Sequence, residues 1–253
     1  MDGTIALILL GALAGGFVSG LTGFGTAIAT LPVWLLVLPP IEAVPLAVCC
    51  AIAAQLLTLP KIWPFIEWRR VMPFLVGGLI GVPVGALILP QIAVGTFKVI
   101  VGGLLLTYCA AAWFLPPPAR PNKPGSDRTR KEGRAGRIAD GLVGLSGGVF
   151  GGLAGLAGIV PTIWLRWRGW GKNAQRGVFQ AFNLTILSFS AVAQSLNGLL
   201  TATLVGLLLI VLPGTIAGAW LGRRLYDGLP APRFDQAVLA ILTFAALTLI
   251  LGI

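Results

Sequence analysis

Two apolar stretches of this chain, 4–38 and 138–165, are too long for one membrane-crossing helix and barely long enough for two. A single crossing takes about 20 residues. Each stretch carries a glycine cluster near its middle, "GGFVSGLTGFGTAIAT" at 15–30 and "GGVFGGLAGLAGIVPT" at 147–162. Non-helical backbone at membrane depth is tolerated only where it is buried in protein or lines a cavity. These two breaks therefore constrain the fold more than any other feature. The remaining apolar segments, roughly 43–60, 72–89, 97–115, 177–196, 200–222 and 234–253, each have the length of one crossing. Charged residues make up only 10% of the chain, against about 25% in a soluble domain. The fold class is an all-α polytopic membrane protein. Asp2 stands where a cleavable signal would need a basic n-region, so the first segment reads as retained.

The net charge of +10 is not spread evenly. Lys61, Arg69 and Arg70 share one loop, and a Pro-, Gly- and charge-rich stretch at 116–137 carries a second basic cluster. Arg166, Arg168, Lys172 and Arg176 form a third, and Arg223, Arg224 and Arg233 a fourth. This pattern sets orientation in a membrane and excludes nucleic acid as a partner. Placing the four clusters in the cytoplasm puts every basic residue except Lys98 there. The stretch 138–165 must then leave and return to the cytoplasm as a hairpin, and 4–38 does the same from outside. Both termini face away from the cytoplasm.

The halves repeat. Gly15, Gly16, Gly20, Leu21 and Gly23 match Gly147, Gly148, Gly152, Leu153 and Gly155, each pair 132 residues apart. Gly77, Gly81, Gly85 and Phe97 match Gly214, Gly218, Gly222 and Phe234, each pair 137 apart. Matched loops carry opposite charge bias, as inverted-topology repeats require. The expected organisation is a first repeat at 1–115, a basic cytoplasmic linker at 116–137 and a second, inverted repeat at 138–253. Each repeat is a broken-helix hairpin plus three transmembrane helices. Whether the hairpins are re-entrant half-helices or full-length helices stays open.

The glycine blocks do not bind nucleotides, because no strand precedes them and no Walker lysine follows. If the returning helices start near the midplane, they do so around 22–26 and 155–158, with Pro161 suited to a first helical turn. Residues 159–168 give about 15 Å of helix, half the hydrocarbon thickness. Two helix N-termini meeting there offer free N–H donors and partial positive charge to an anion, with no buried Lys or Arg. The candidate substrate-binding residues are Ser19, Thr22, Gly23, Gly25, Thr26, Gly155, Gly158, Gln180 and Asn183. Arg176, Ser190 and Gln194 continue a polar stripe on the same helix and are candidates for the substrate path. Interhelical hydrogen bonding is the competing reading of that stripe. Close helix packing is the preferred reading of Gly77, Gly81 and Gly85 and their counterparts. Trp164, Trp167 and Trp170 flank Arg166 and Arg168 as an interfacial belt.

Some chemistry is missing. Cys49, Cys50 and Cys109 lie in apolar segments without CxxC spacing, and there is no histidine, so no metal site or cofactor is expected. No carboxylate sits in mid-segment; Glu42 and Asp140 lie at segment starts. A base paired with an oriented nucleophile is absent too, so the chain is not read as an enzyme. The expected partners are a small anionic substrate and membrane lipid. The coupling ion and oligomeric state are not legible, and a proton remains one coupling candidate.

The block "GGFVSGLTGFGTAIATLPVW", its partial copy "GGVFGGLAGLAGIVPTIWL", the following "AQRGVFQAFNL" and the basic central loop resemble the TauE/SafE sulfite exporter family, also called the sulfonate uptake permease family. The resemblance covers most of the chain. It implies a bacterial inner-membrane transporter of sulfite, thiosulfate, sulfoacetate or related organosulfonates, with import or export undetermined. The second block has "GLAGIVP" where the family often carries a fuller glycine run with hydroxyls, which shifts binding toward the first block. The leading expectation is an alternating-access carrier that binds the anion near the midplane. An anion channel, a carrier of another small organic anion and a membrane scaffold acting through the basic linker are the alternatives.

Overall fold

The computed structural model describes residues 2–23, 25–114, 134–168, 170, 172–226, 243, 246 and 247. Among the described residues there are helices and short 3-10 turns and no strand. Helices α1 (Asp2–Thr22) and α2 (Thr26–Trp34) form the first broken hairpin, followed by α3 (Pro40–Ile62), α4 (Trp68–Ile88) and α5 (Val94–Phe114). Helices α6 (Arg134–Ala154) and α7 (Ile159–Arg168) form the second, followed by α8 (Lys172–Leu196) and α9 (Ala202–Tyr226). The expected segment at 234–253 and most of the stretch assigned to the linker lie outside the described residues. Helix α6 begins at Arg134, inside that assigned stretch.

Helices α1, α3, α4, α5 and α9 contain spans long and apolar enough to cross a membrane. This is a multi-pass membrane protein. Helices α6 and α8 have the length, at 21 and 25 residues. Arg134, Arg137 and Asp140 dilute the hydropathy of α6, and the polar stripe does so for α8. Both hairpins have one arm of each kind. The long arms, α1 and α6, have 21 residues each, or about 31 Å at 1.5 Å per residue. The short arms, α2 and α7, have 9 and 10 residues, or about 15 Å. The question left open by the sequence is thus answered unevenly: each hairpin pairs a full-length helix with a half-length one.

The short arms fold back along the long ones. The Trp34 indole N–H donates to the Ile8 carbonyl at 2.9 Å, pinning the end of α2 to α1. In the second hairpin the Trp164 indole N–H donates to Asp140 Oδ1 at 2.7 Å, and Arg168 Nη2 pairs with Asp140 Oδ2 at 2.5 Å. Asp140 does not sit at a segment start as expected. With α6 beginning at Arg134, it lies well inside the helix and is buried. Trp164, expected in an interfacial belt, serves as its partner. Breaking such a buried pair from one side costs about 3–5 kcal/mol, because the remaining charge stays uncompensated. Asp140→Ala should therefore lower the melting temperature of the detergent-purified protein sharply, and further replacement of Arg168 by Met should restore part of the loss.

Between hairpins and long helices the glycines set the spacing. Helix α1 lies along α9, and α6 lies along α4. A Cβ on Gly16 would collide with the Thr215 carbonyl, and one on Gly148 with the Gly78 carbonyl. Gly20 meets the Ala219 carbonyl, and Gly152 the Val82 carbonyl. The same holds from the other side: Gly77, Gly81 and Gly85 abut the carbonyls of Gly141, Leu145 and Val149, and Gly218 and Gly222 abut those of Leu13 and Phe17. Small residues let backbones approach at such crossings. Gly214 is the looser member, with only ordinary contact to Ala12 Cβ at 3.8 Å. Part of each hairpin cluster therefore serves packing, and only the tip glycines remain for the break. Apolar side chains fill the space between α4 and α8, where the Phe74 and Phe182 rings meet edge to face at 6.2 Å.

Candidate functional site

Both helix breaks depend on glycine. The chain turns through Gly23 (φ 82°) and Gly25 (φ 94°) in the first hairpin and Gly155 (φ 67°) in the second. Positive φ is readily open only to glycine. Gly25 precedes the first residue of α2, and no side chain caps that helix. Its leading N–H groups thus lack the hydroxyl or carboxylate partner that helix starts usually have.

A small cavity lies where the two breaks pass each other. Gly25, Thr26, Ala27 and Ile28 line it from the first break, and Gly155, Leu156, Gly158 and Ile159 from the second. Ala51 and Gln55 of α3 and Asn183 and Leu187 of α8 complete the wall. These four sit near the middle of their helices. The lining is related in pairs 132 residues apart: Thr26 with Gly158, Ala27 with Ile159, Ala51 with Asn183 and Gln55 with Leu187. In three of the four pairs one member is polar and the other is not.

Two of the polar groups have no protein partner. Thr26 Oγ1 and Gln55 Oε1 are buried without a hydrogen bond, and each residue is 1% exposed. Buried polar groups are nearly always satisfied, so such orphans call for an explanation. Among the described residues, no lysine, arginine, aspartate or glutamate lines the cavity. Gly158 has to be glycine: a Cβ there would meet the Phe179 ring at 2.6 Å and come within 3.4 Å of Asn183 Oδ1.

Of the residues expected to bind substrate, Gly25, Thr26, Gly155, Gly158 and Asn183 line this cavity. Gly23, Gln180 and Arg176 form a separate cluster beside the first break. A Cβ on Gly23 would stand 3.7 Å from Arg176 Nη2 and 3.9 Å from Gln180 Oε1. The Gln180 side-chain amide donates to the Thr58 hydroxyl, which donates to the Gln55 carbonyl at 3.0 Å. This chain ties α8 to α3 next to the cavity. Thr22 donates to the Val18 carbonyl of its own helix at 2.8 Å. Ser19 is buried in the last turns of α1, and its hydroxyl has no hydrogen-bond partner. Neither lines the cavity.

Ser190 and Gln194 face elsewhere. Ser190 Oγ donates to the Gly151 carbonyl and Gln194 Nε2 to the Gly152 carbonyl, both at 3.1 Å. They hold α8 against the glycine-rich face of α6, where no side chain could do so. Gln55 was missed by the sequence reading. The signal was available, because it is an isolated amide in "CCAIAAQLL". Polar residues within membrane segments usually face the bundle interior, and Gln55 of α3 does so as Asn183 of α8 does.

The model of the sulfite exporter TauE/SafE family matches residues 7–249 of the chain. This protein belongs to the TauE/SafE family. The match runs through both broken hairpins and every long helix described here, so the cavity lies wholly within the family domain. The family is one of membrane sulfite exporters and transporters. No curated protein and no solved structure matches the chain.

Proposed function

We propose that this family member is an alternating-access carrier of a small sulfur-containing anion, such as sulfite, thiosulfate or an organosulfonate. One observation carries the reading. Two short helices begin at one cavity, whose buried Thr26 hydroxyl and Gln55 amide oxygen lack protein partners and whose wall, among the described residues, holds no cation. The leading N–H groups of α2, with Thr26, Gln55 and Asn183, form the anion's shell; at the start of α7 the Ile159 N–H already donates to the Leu156 carbonyl and Pro161 has none, so α7 contributes mainly its dipole. Helix N-termini suit an oxyanion without the cost of a buried lysine or arginine. Half-helices that present their N-termini to an anion recur in carriers built from inverted repeats. The two halves of this chain are read as such repeats, in a bacterial inner membrane with both termini outside the cytoplasm. Arg176, Gln180 and Gly23 form the cytoplasmic approach to the cavity, and Ser19 and Thr22 support the first tip.

The test is initial-rate uptake of labelled sulfite by proteoliposomes, with thiosulfate, sulfate, small sulfonates and carboxylates as competitors. Saturable uptake with no macroscopic current supports the carrier. Large currents that do not saturate would make the protein an anion channel, and uptake of carboxylates alone would replace the substrate class. Ser190 and Gln194 supply a second check. Gln194→Leu removes a helix–helix hydrogen bond worth about 1 kcal/mol. It should lower the melting temperature by a few degrees and leave the half-saturation concentration for sulfite unchanged.

A further inference from the structure

We infer that the cavity between the two breaks selects singly charged oxyanions and rejects doubly charged ones. The inference rests on the anion-carrier reading and narrows its substrates to monoanions, hydrogen sulfite and simple organosulfonates, at the expense of thiosulfate. The cavity's positive potential comes from backbone alone. Each helix N-terminus is equivalent to roughly half an elementary charge. Two of them, from α2 and α7, compensate at most about one negative charge, and α7 contributes the smaller share because the Ile159 N–H donates to the Leu156 carbonyl and Pro161 has none. The other polar groups on the wall, Thr26, Gln55 and Asn183, are neutral.

A second negative charge would find no partner there. The charged residues of the lining helices fall at helix ends in the sequence: Glu42 in the first turn of α3 and Lys61 near its end, Arg166 and Arg168 in the last turn of α7, and Lys172 and Arg176 in the first turns of α8. Arg176 is the nearest along α8. It lies seven residues from Asn183, or about 10 Å along the axis, and its guanidinium sits against Gly23 rather than in the lining. Burying an uncompensated charge is expensive. The orphan acceptor Gln55 Oε1 adds to the discrimination. It repels a bare oxygen anion but accepts a hydrogen bond from a protonated oxygen, as in hydrogen sulfite. The orphan hydroxyl of Thr26 can donate to the charged oxygens.

The experiment uses the purified full-length chain and reads binding and transport separately. Binding is the rise in melting temperature produced by methanesulfonate, sulfate or thiosulfate at matched ionic strength. Methanesulfonate is a monoanion, and the other two are dianions, throughout the neutral pH range. Methanesulfonate should stabilise at concentrations at least tenfold lower than either dianion. Uptake of labelled sulfite at fixed total concentration should fall as pH rises through its second ionisation, approaching about tenfold per unit above it. In a folded Gln55→Lys protein, the added charge should bring sulfate up to methanesulfonate. Dianions that stabilise as well as methanesulfonate, or uptake that rises with pH, overturn the inference and leave the carrier reading standing. Monoanion-selective stabilisation without sulfite uptake overturns the carrier reading alone. An unchanged preference in folded Gln55→Lys removes this cavity as the source of selectivity.

Discussion

Replacing Thr26 by Val and Gln55 by Leu together should cut sulfite uptake by more than tenfold while leaving the protein folded. Both substitutions nearly preserve shape. Both remove a buried polar atom that the protein itself does not satisfy, the Thr26 hydroxyl and the Gln55 amide oxygen, so stability should change little. What is lost is two hydrogen bonds to a charged ligand, each worth about 1.5–3 kcal/mol. Uptake should be measured at low sulfite concentration, where loss of binding is fully felt, beside a melting curve of the same preparation. Unchanged uptake would remove these residues from the site. The single variants should each lose less than the pair.

A large loss of stability is expected at Gly16 and Gly148. Leucine at either position would drive a side chain into the backbone of the facing helix, at Thr215 or Gly78. Overpacking ordinarily costs about 1–3 kcal/mol, and occasionally more. Here the obstacle is a carbonyl, which cannot rotate away as a side chain can. Both variants should fail to accumulate in the membrane or melt far below the parent, and by similar amounts. Gly103→Leu is the control, since a Cβ at Gly103 meets nothing within 4 Å. A tolerated leucine at Gly148 would show that α6 and α4 are not held in backbone contact.

The helix breaks were legible because length and glycine placement act together. An apolar run too long for one helix must turn somewhere, and glycine marks where. The second helices were expected to begin around 22–26 and 155–158, and they begin at Thr26 and Ile159. The half-length of α7 was legible as one of two options, but that each hairpin joins a full-length arm to a half-length one was not. Whether a helix spans fully or halfway depends on what it packs against, and α2 is held by Gly11, Gly15 and the Ile8 carbonyl rather than by its own composition. Asp140 was misplaced for a related reason: Arg134 and Arg137 read as linker, yet they begin α6. In the cavity, the tip glycines, Thr26 and Asn183 followed from the repeat and the polar stripe. Gln55 did not, because one amide makes no stripe. Ser190 and Gln194 share a face with Asn183 by spacing, but the face turns toward α6 along its length. Periodicity gives direction around a helix axis and not the identity of the neighbour.

The pairing of α1 with α9 and of α6 with α4 bears on how the chain is made. The first hairpin to leave the ribosome leans on one of the last helices described. Its short arm has nine residues, too few to be a stable helix alone, and backbone freed at the break cannot rest against lipid. Until α9 arrives, the first hairpin has no lasting place to fold. Neither half is a self-sufficient unit, so either one produced alone should be degraded. The two co-expressed as separate chains should rescue each other, because each lacks the surface that only the other provides.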